Sequence, residues 1–134
     1  MLIRSEPEMI SFGRNYAAKL RAPVVLELLG DVGAGKTTFV RGLAAGLGIE
    51  EPVTSPSFTI SKEYQGRSYR LVHYDFYRLA NPGIMAEDLA ENLADNNTIT
   101  VVEWGESIRD ILPATHPVIT IKYINETERE VEIK

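Results

Sequence analysis

The chain has no cysteine and only two histidines, His73 and His116. Without thiols there are no disulfides, iron–sulfur clusters, cysteine zinc ligands or thiolate nucleophiles. Two histidines cannot supply a three-histidine zinc site, and neither lies in an H-E-x-x-H pattern. Long apolar runs are also lacking. The longest, residues 24–29, is interrupted by Glu27 and is far shorter than the ~20 residues of a membrane-spanning helix. Glu6 and Glu8 stand where a secretory leader needs an apolar centre, so a cytoplasmic protein without membrane contact is expected. Basic residues are outnumbered, 14 Lys and Arg against 19 Asp and Glu for a formal charge of −5. No basic stripe is visible, which argues against DNA as a partner and against direct RNA binding by this chain alone.

Ordinary globular proportions remain. With 134 residues, 44% hydrophobic and 25% charged, the expectation is one domain over residues 1–134 with room for one core. Residues 2–4 suit a short edge strand. Ser5-Glu6-Pro7-Glu8 forms a capping box, and Met9, Phe12, Tyr16 and Leu20 follow at helical spacing, predicting a helix to about Leu20. Residues 24–29 suit a central strand covered on both faces. A helix is predicted from Lys36 to about Leu47, closed by Gly48. Alternation over residues 58–64 and 69–73 about Gln65-Gly66-Arg67 predicts a hairpin. Asn81-Pro82-Gly83 breaks the chain before a short helix with Met85, Leu89 and Leu93 on one face. A buried strand over residues 98–103, a short helix over 107–112 and a second hairpin over 118–124 and 130–133 complete the pattern. Alternating helices and strands with hairpins interspersed predict an α/β fold with a mixed central sheet flanked by helices.

One segment carries chemistry. Gly30-Asp31-Val32-Gly33-Ala34-Gly35-Lys36-Thr37 satisfies G-x-x-x-x-G-K-[ST], between an apolar strand and a helical pattern. Phosphates need inward-turned backbone N–H groups, here from Asp31, Val32, Gly33, Ala34 and Gly35, and the glycines adopt the required angles at little cost. The helix N-terminus adds partial positive charge. In this pattern Lys36 offers a charge to the β and γ phosphates and Thr37 its hydroxyl to Mg²⁺. Thr38 is a candidate for the α phosphate.

Such a site needs a carboxylate for the metal or its waters. Glu103 closes an apolar strand of Walker B type, and Asp75 closes the more mixed strand before it. In open α/β sheets ligands gather at the carboxyl ends of parallel strands, so both acids are candidates with Lys36 for catalysis and with Thr37 for Mg²⁺. Spacing alone leaves their individual roles open. Val53-Thr54-Ser55-Pro56-Ser57-Phe58-Thr59 lies where a switch loop could sense a γ-phosphate through Thr54 or Ser55. Trp104 is either a binding surface or a buried aromatic, and His73 on its apolar strand suits a core position better than a general base.

Taken with Ser55-Pro56-Ser57-Phe58-Thr59, His73-Tyr74-Asp75-Phe76-Tyr77-Arg78-Leu79 and Val102-Glu103-Trp104, the loop resembles the bacterial ATPase family of tRNA threonylcarbamoyladenosine biosynthesis, the TsaE (YjeE) family. The resemblance implies a P-loop NTPase that binds ATP and Mg²⁺ and acts with a two-protein synthase. That pair transfers threonylcarbamoyl to N6 of adenosine 37 in tRNAs reading codons that begin with A, so tRNA is met through the complex. By the same resemblance Lys36 and Thr37 serve phosphate and Mg²⁺, Glu103 is a Mg²⁺-site residue and Asp75 the Walker B-like acid. Ser5 or Glu6, and Arg129, fall where nucleoside contacts are expected. One stretch departs from the family pattern, Asn81-Pro82-Gly83-Ile84-Met85-Ala86-Glu87-Asp88-Leu89 replacing the usual D-P-E-E-L and a longer glycine-containing run.

Rival assignments fit less well. A GTPase lacks its N-K-x-D motif here, and a small-metabolite kinase wants an arginine-bearing lid where only Arg109 and Arg129 lie late in the chain. A nucleotide-gated binding module with negligible hydrolysis is the alternative from another class, since no arginine finger in cis is evident.

Overall fold

The computed structural model describes residues 1–31, 33–56, 61–76, 84–104 and 108–134, with the side chain of residue 84 excepted. The elements in chain order are β1 (Leu2–Ile3), α1 (Glu6–Ala17), β2 (Val24–Leu29), α2 (Lys36–Gly46), β3 (Ser61–Gln65), β4 (Arg70–Asp75), α3 (Ile84–Ala94), β5 (Thr98–Glu103), β6 (Val118–Tyr123) and β7 (Arg129–Ile133).

Seven strands form one sheet in the order β1-β7-β6-β2-β5-β4-β3. Its centre, β6, β2, β5 and β4, is parallel, while β3, β7 and β1 are antiparallel additions at the two edges. The predicted mixed α/β sheet is therefore present. Strand periodicity divides the apolar residues between two faces. Leu26, Leu28, Leu71, Ile99, Val101, Ile119 and Ile121 pack with Phe39, Val40 and Leu43 of α2. On the opposite face Val25, Val72, Tyr74 and Val102 pack with Leu89 of α3 and with Ile108 and Leu112.

Local chemistry sets the helix ends. Ser5 caps α1, its Oγ accepting the Glu8 N–H at 3.2 Å, with Glu6 and Glu8 in the first turn complementing the helix dipole. The helix ends at Ala17, earlier than the spacing of Leu20 predicts. Lys19 and Leu20 instead donate to Tyr16 and Ala17 in a tighter turn that still buries Leu20, ahead of the extended chain at Pro23. Likewise, the described part of the helix predicted over 107–112 is a pair of turn bonds, Ile111 to Ile108 and Leu112 to Arg109. The predicted strand start at 58–60 and the Asn81-Pro82-Gly83 breaker lie outside the described residues.

Helices α1 and α2 lie side by side in the same direction, with Met9 beside Gly35 and Ala17 beside Gly46. Glycines let their backbones touch. A methyl group on Gly42 would stand 2.3 Å from the Ile10 carbonyl oxygen, and one on Gly13 2.5 Å from that of Phe39. This contact brings both helix N-termini to the same end of the sheet.

Candidate nucleotide site

Parallel strands β2, β4 and β5 end at one edge, and the loop of residues 30–35 leaves β2 there. Gly33 and Gly35 have φ of 83° and 105°, angles that cost an L-residue about 1–2 kcal/mol. Phe39 N–H is the first to bond back into α2, at 3.0 Å to the Gly35 carbonyl, so the N–H groups of Lys36, Thr37 and Thr38 precede the helical ladder. Asp31 and Gly33 are exposed, Ala34 is buried, and Gly35, Thr37 and Thr38 are half-buried. Val32 lies outside the described residues.

Lys36 is only 7% exposed. Its Nζ donates to the Gly30 carbonyl at 2.7 Å, lies 3.4 Å from Glu103 Oε1, and sits 4.3 Å above the centre of the Trp104 ring. Trp104 is the one non-glycine with positive φ among the described residues, at 55°. That outlying backbone angle, of a kind that concentrates at functional sites, accompanies the placement of its ring beneath the lysine. Trp104 is half-buried, between the two alternatives the sequence left open.

Register brings the acids together, with Asp75 of β4 directly opposite Glu103 of β5 and both buried. Two residues back on β4, on the same face as Asp75, His73 is fully buried and its Nε2 hydrogen-bonds Glu103 Oε2. Burial alone would raise the Glu103 pKa. The hydrogen bond and attraction from His73, together with the Lys36 ammonium, outweigh it and hold the carboxyl below its ordinary value. Glu103 is therefore ionised at neutral pH.

A cavity of about 260 Å³ opens beside the loop, lined by Ser5, Glu6 and Met9 of the α1 end, Gly35 and Thr38, Glu126 and Thr127 of the β6–β7 turn, and Arg129 at the start of β7. Ser5 and Arg129, 124 residues apart in sequence, thus face one space. Arg129 is also engaged locally, its Nε donating to the Ala34 carbonyl at 2.9 Å. Glu126 and Thr127 escaped sequence reasoning because a hairpin turn carries no phosphate-site signature.

Glu27 is the other buried acid missed. It lies on the α3 face, accepting from Arg109 Nη2 at 2.8 Å and paired with His116 Nε2 at 2.9 Å. Burial would raise its pKa, but these hydrogen bonds and charges lower it. In the loop after α2, Thr54 Oγ1 accepts from Lys62 and the Thr54 N–H reaches the Tyr64 hydroxyl at 3.4 Å. Residues 57–59 of the expected switch loop, and Tyr77, Arg78 and Leu79 of the second motif, lie outside the described residues.

The donor set suits Mg²⁺. Among the described residues no three His, Asp or Glu groups gather to hold a metal by themselves. In phosphate sites Mg²⁺ takes one or two carboxylates, phosphate oxygens and water, which matches the pair Asp75 and Glu103 with a hydroxyl from Thr37 at the start of α2. The loop amides and the N-terminus of α2 suit the phosphates themselves.

A glycine-turned loop joining a central parallel strand to a helix, beneath two strand-end acids, sets this α/β protein in the P-loop NTPase fold class. Comparison with known proteins narrows the class. The profile of the family described as "Threonylcarbamoyl adenosine biosynthesis protein TsaE" matches residues 3–131. A Treponema pallidum protein named tRNA threonylcarbamoyladenosine biosynthesis protein TsaE is 36% identical over 130 residues, covering 97% of this chain and 96% of that one. A Haemophilus influenzae protein of the same name is 32% identical over 136 residues, covering 98% and 85%. The crystal structure of Bacillus subtilis YdiB superimposes with a TM-score of 0.80 at 35% identity, over 98% of this chain and 80% of the other. The chain belongs to the TsaE family.

Proposed function

We propose that residues 1–134 act as one Mg²⁺-dependent ATP-binding and ATP-hydrolysing unit in the threonylcarbamoyladenosine modification of tRNA. The observation carrying this reading is the convergence of Lys36, Glu103 and Asp75 at the loop, from three elements distant in sequence. In this reading the loop amides, Lys36 and the N-terminus of α2 bind the β and γ phosphates, and Thr38 meets the α phosphate. Thr37, Asp75 and Glu103 would hold Mg²⁺, which when bound supplies charge to the phosphate oxygens. Glu103 is kept ionised by His73 and Lys36, and between them Asp75 and Glu103 would serve the metal or its waters and orient the attacking water. Ser5 and the β6–β7 turn receive the nucleoside. The names of the relatives support a place in tRNA threonylcarbamoyladenosine biosynthesis. The resemblance adds adenosine 37 as the modified position, a two-protein threonylcarbamoyl transferase as partner, tRNA met through that complex, and the cytoplasm as location. No helix among the described residues is long and apolar enough to cross a membrane.

A specific observation favours slow turnover by the chain alone. The two late arginines are engaged elsewhere, Arg109 with Glu27 and Arg129 with the Ala34 carbonyl, so neither is placed by these contacts as an arginine finger. The test is steady-state hydrolysis of ATP and GTP by the purified chain, alone and with the transferase pair and tRNA. Stimulated ATP hydrolysis supports the proposal. A preference for GTP, or robust turnover indifferent to the pair, overturns it, and ATP binding without hydrolysis under every condition leaves the gated binding module.

A further inference from the structure

Arg129 lies where the family resemblance sets a nucleoside contact, yet its guanidinium is committed to the backbone. Nε donates to the Ala34 carbonyl at 2.9 Å, and Nη1 donates to the carbonyls of Asn125 at 2.5 Å and Glu128 at 2.9 Å. The same group lies 4.6 Å over the Tyr123 ring. The turn it grips is itself tied, Asn125 Oδ1 accepting the N–H groups of Thr127 at 3.0 Å and Glu128 at 2.9 Å.

We infer that Arg129 is a positioning residue that braces the phosphate-binding loop against the β6–β7 turn. Ala34 lies between two positive-φ glycines, a stretch where the backbone is least restrained by its own side chains. In a planar trans peptide the Ala34 C=O and the Gly35 N–H point in opposite directions. Fixing that carbonyl on Arg129 therefore fixes the direction of the Gly35 N–H, away from the arginine. The rigid planar fork of arginine suits this, because it holds two carbonyl directions at once where a lysine offers one nitrogen. The ligand class served is a polyphosphate, whatever nucleoside it bears. This inference rests on the proposed nucleotide site and specifies how its loop is held.

The experiment compares wild type, Arg129→Met and Arg129→Lys by calorimetric titration with inorganic tripolyphosphate, ATP and adenosine, and by hydrogen exchange without ligand. Arg129→Met is expected to weaken tripolyphosphate and ATP by the same factor, about tenfold for a lost charged hydrogen bond. It should also speed exchange of the loop amides around Ala34 and Gly35 while Ile119 and Ile121 keep wild-type rates. Arg129→Lys should retain the charge yet recover neither loop protection nor full tripolyphosphate affinity. Loss of ATP affinity with tripolyphosphate unchanged overturns the inference in favour of a nucleoside contact. Unchanged loop exchange in both variants, or a lysine variant equal to wild type, also overturns it. If wild-type protein binds neither ATP nor tripolyphosphate, the nucleotide site falls, and loop exchange still decides whether Arg129 braces the loop.

Discussion

Glu103 is held from two sides: His73 on the adjacent strand bonds one carboxylate oxygen, and Lys36 at the start of α2 lies 3.4 Å from the other. A buried ionised carboxylate is costly unless it is paired and hydrogen-bonded, as this one is. Because its folded pKa is lowered from 4.5, Glu103 contributes stability that is present above pH 4.5 and lost as the pH falls through the folded value. Thermal melts from pH 7 to pH 3 should show a shallower acid limb for Glu103→Gln than for wild type. Parallel curves would show that the pair contributes nothing to folding. Glu27, also lowered, should remain as a second source of acid sensitivity in that variant.

Lys36→Ala removes the point charge at the loop. ATP affinity is expected to fall at least about tenfold, the order of one charge-assisted hydrogen bond. Titration calorimetry giving wild-type affinity would remove the loop from the site.

For Glu103→Ala and Asp75→Asn we expect loss of Mg²⁺-dependent turnover by about a hundredfold or more, equivalent to roughly 3 kcal/mol of barrier. Circular dichroism should report a retained fold. Since spacing left the two acids' roles open, Mg²⁺ titration of each variant separates them. Loss of a metal ligand raises the Mg²⁺ requirement, whereas loss of a water-orienting acid lowers the rate at saturating Mg²⁺. Normal turnover in either variant excludes that residue.

Gly42→Ala should lower stability by about 1–3 kcal/mol through overpacking, because its new methyl would meet the Ile10 backbone at 2.3 Å. Gly33→Ala provides the contrast. Nothing lies within 4 Å of a methyl there, so only the positive φ resists it, at about 1–2 kcal/mol. Equal melting temperatures for Gly42→Ala and wild type would contradict the close helix contact.

The sequence announced the phosphate loop, the Ser5 cap and the strand ending at Glu103 because each is a local pattern within a few residues. It placed Asp75 and Glu103 at strand ends, but their adjacency depends on β4 and β5 being neighbours in register, which sequence spacing does not encode. His73 looked like core because it is core. Its bond to Glu103 follows from diagonal neighbours on one sheet face. Glu27 appeared only as an interruption of an apolar run, since its partners Arg109 and His116 lie 82 and 89 residues away. The shortened α1 reflects a tertiary demand, burial of Leu20, met by a tighter turn than periodicity anticipates.

The glycine contact between α1 and α2 also governs how the protein can move. Helices whose backbones touch at Gly13 and Gly42, with Phe12 and Tyr16 packed on Phe39 beside that contact, have little room to slide or roll past each other. The Ser5 wall of the cavity and the phosphate loop, at the same end of the two helices, are then two sides of one packed unit. A ligand entering between them meets a cleft shaped before it arrives, rather than two walls that move separately.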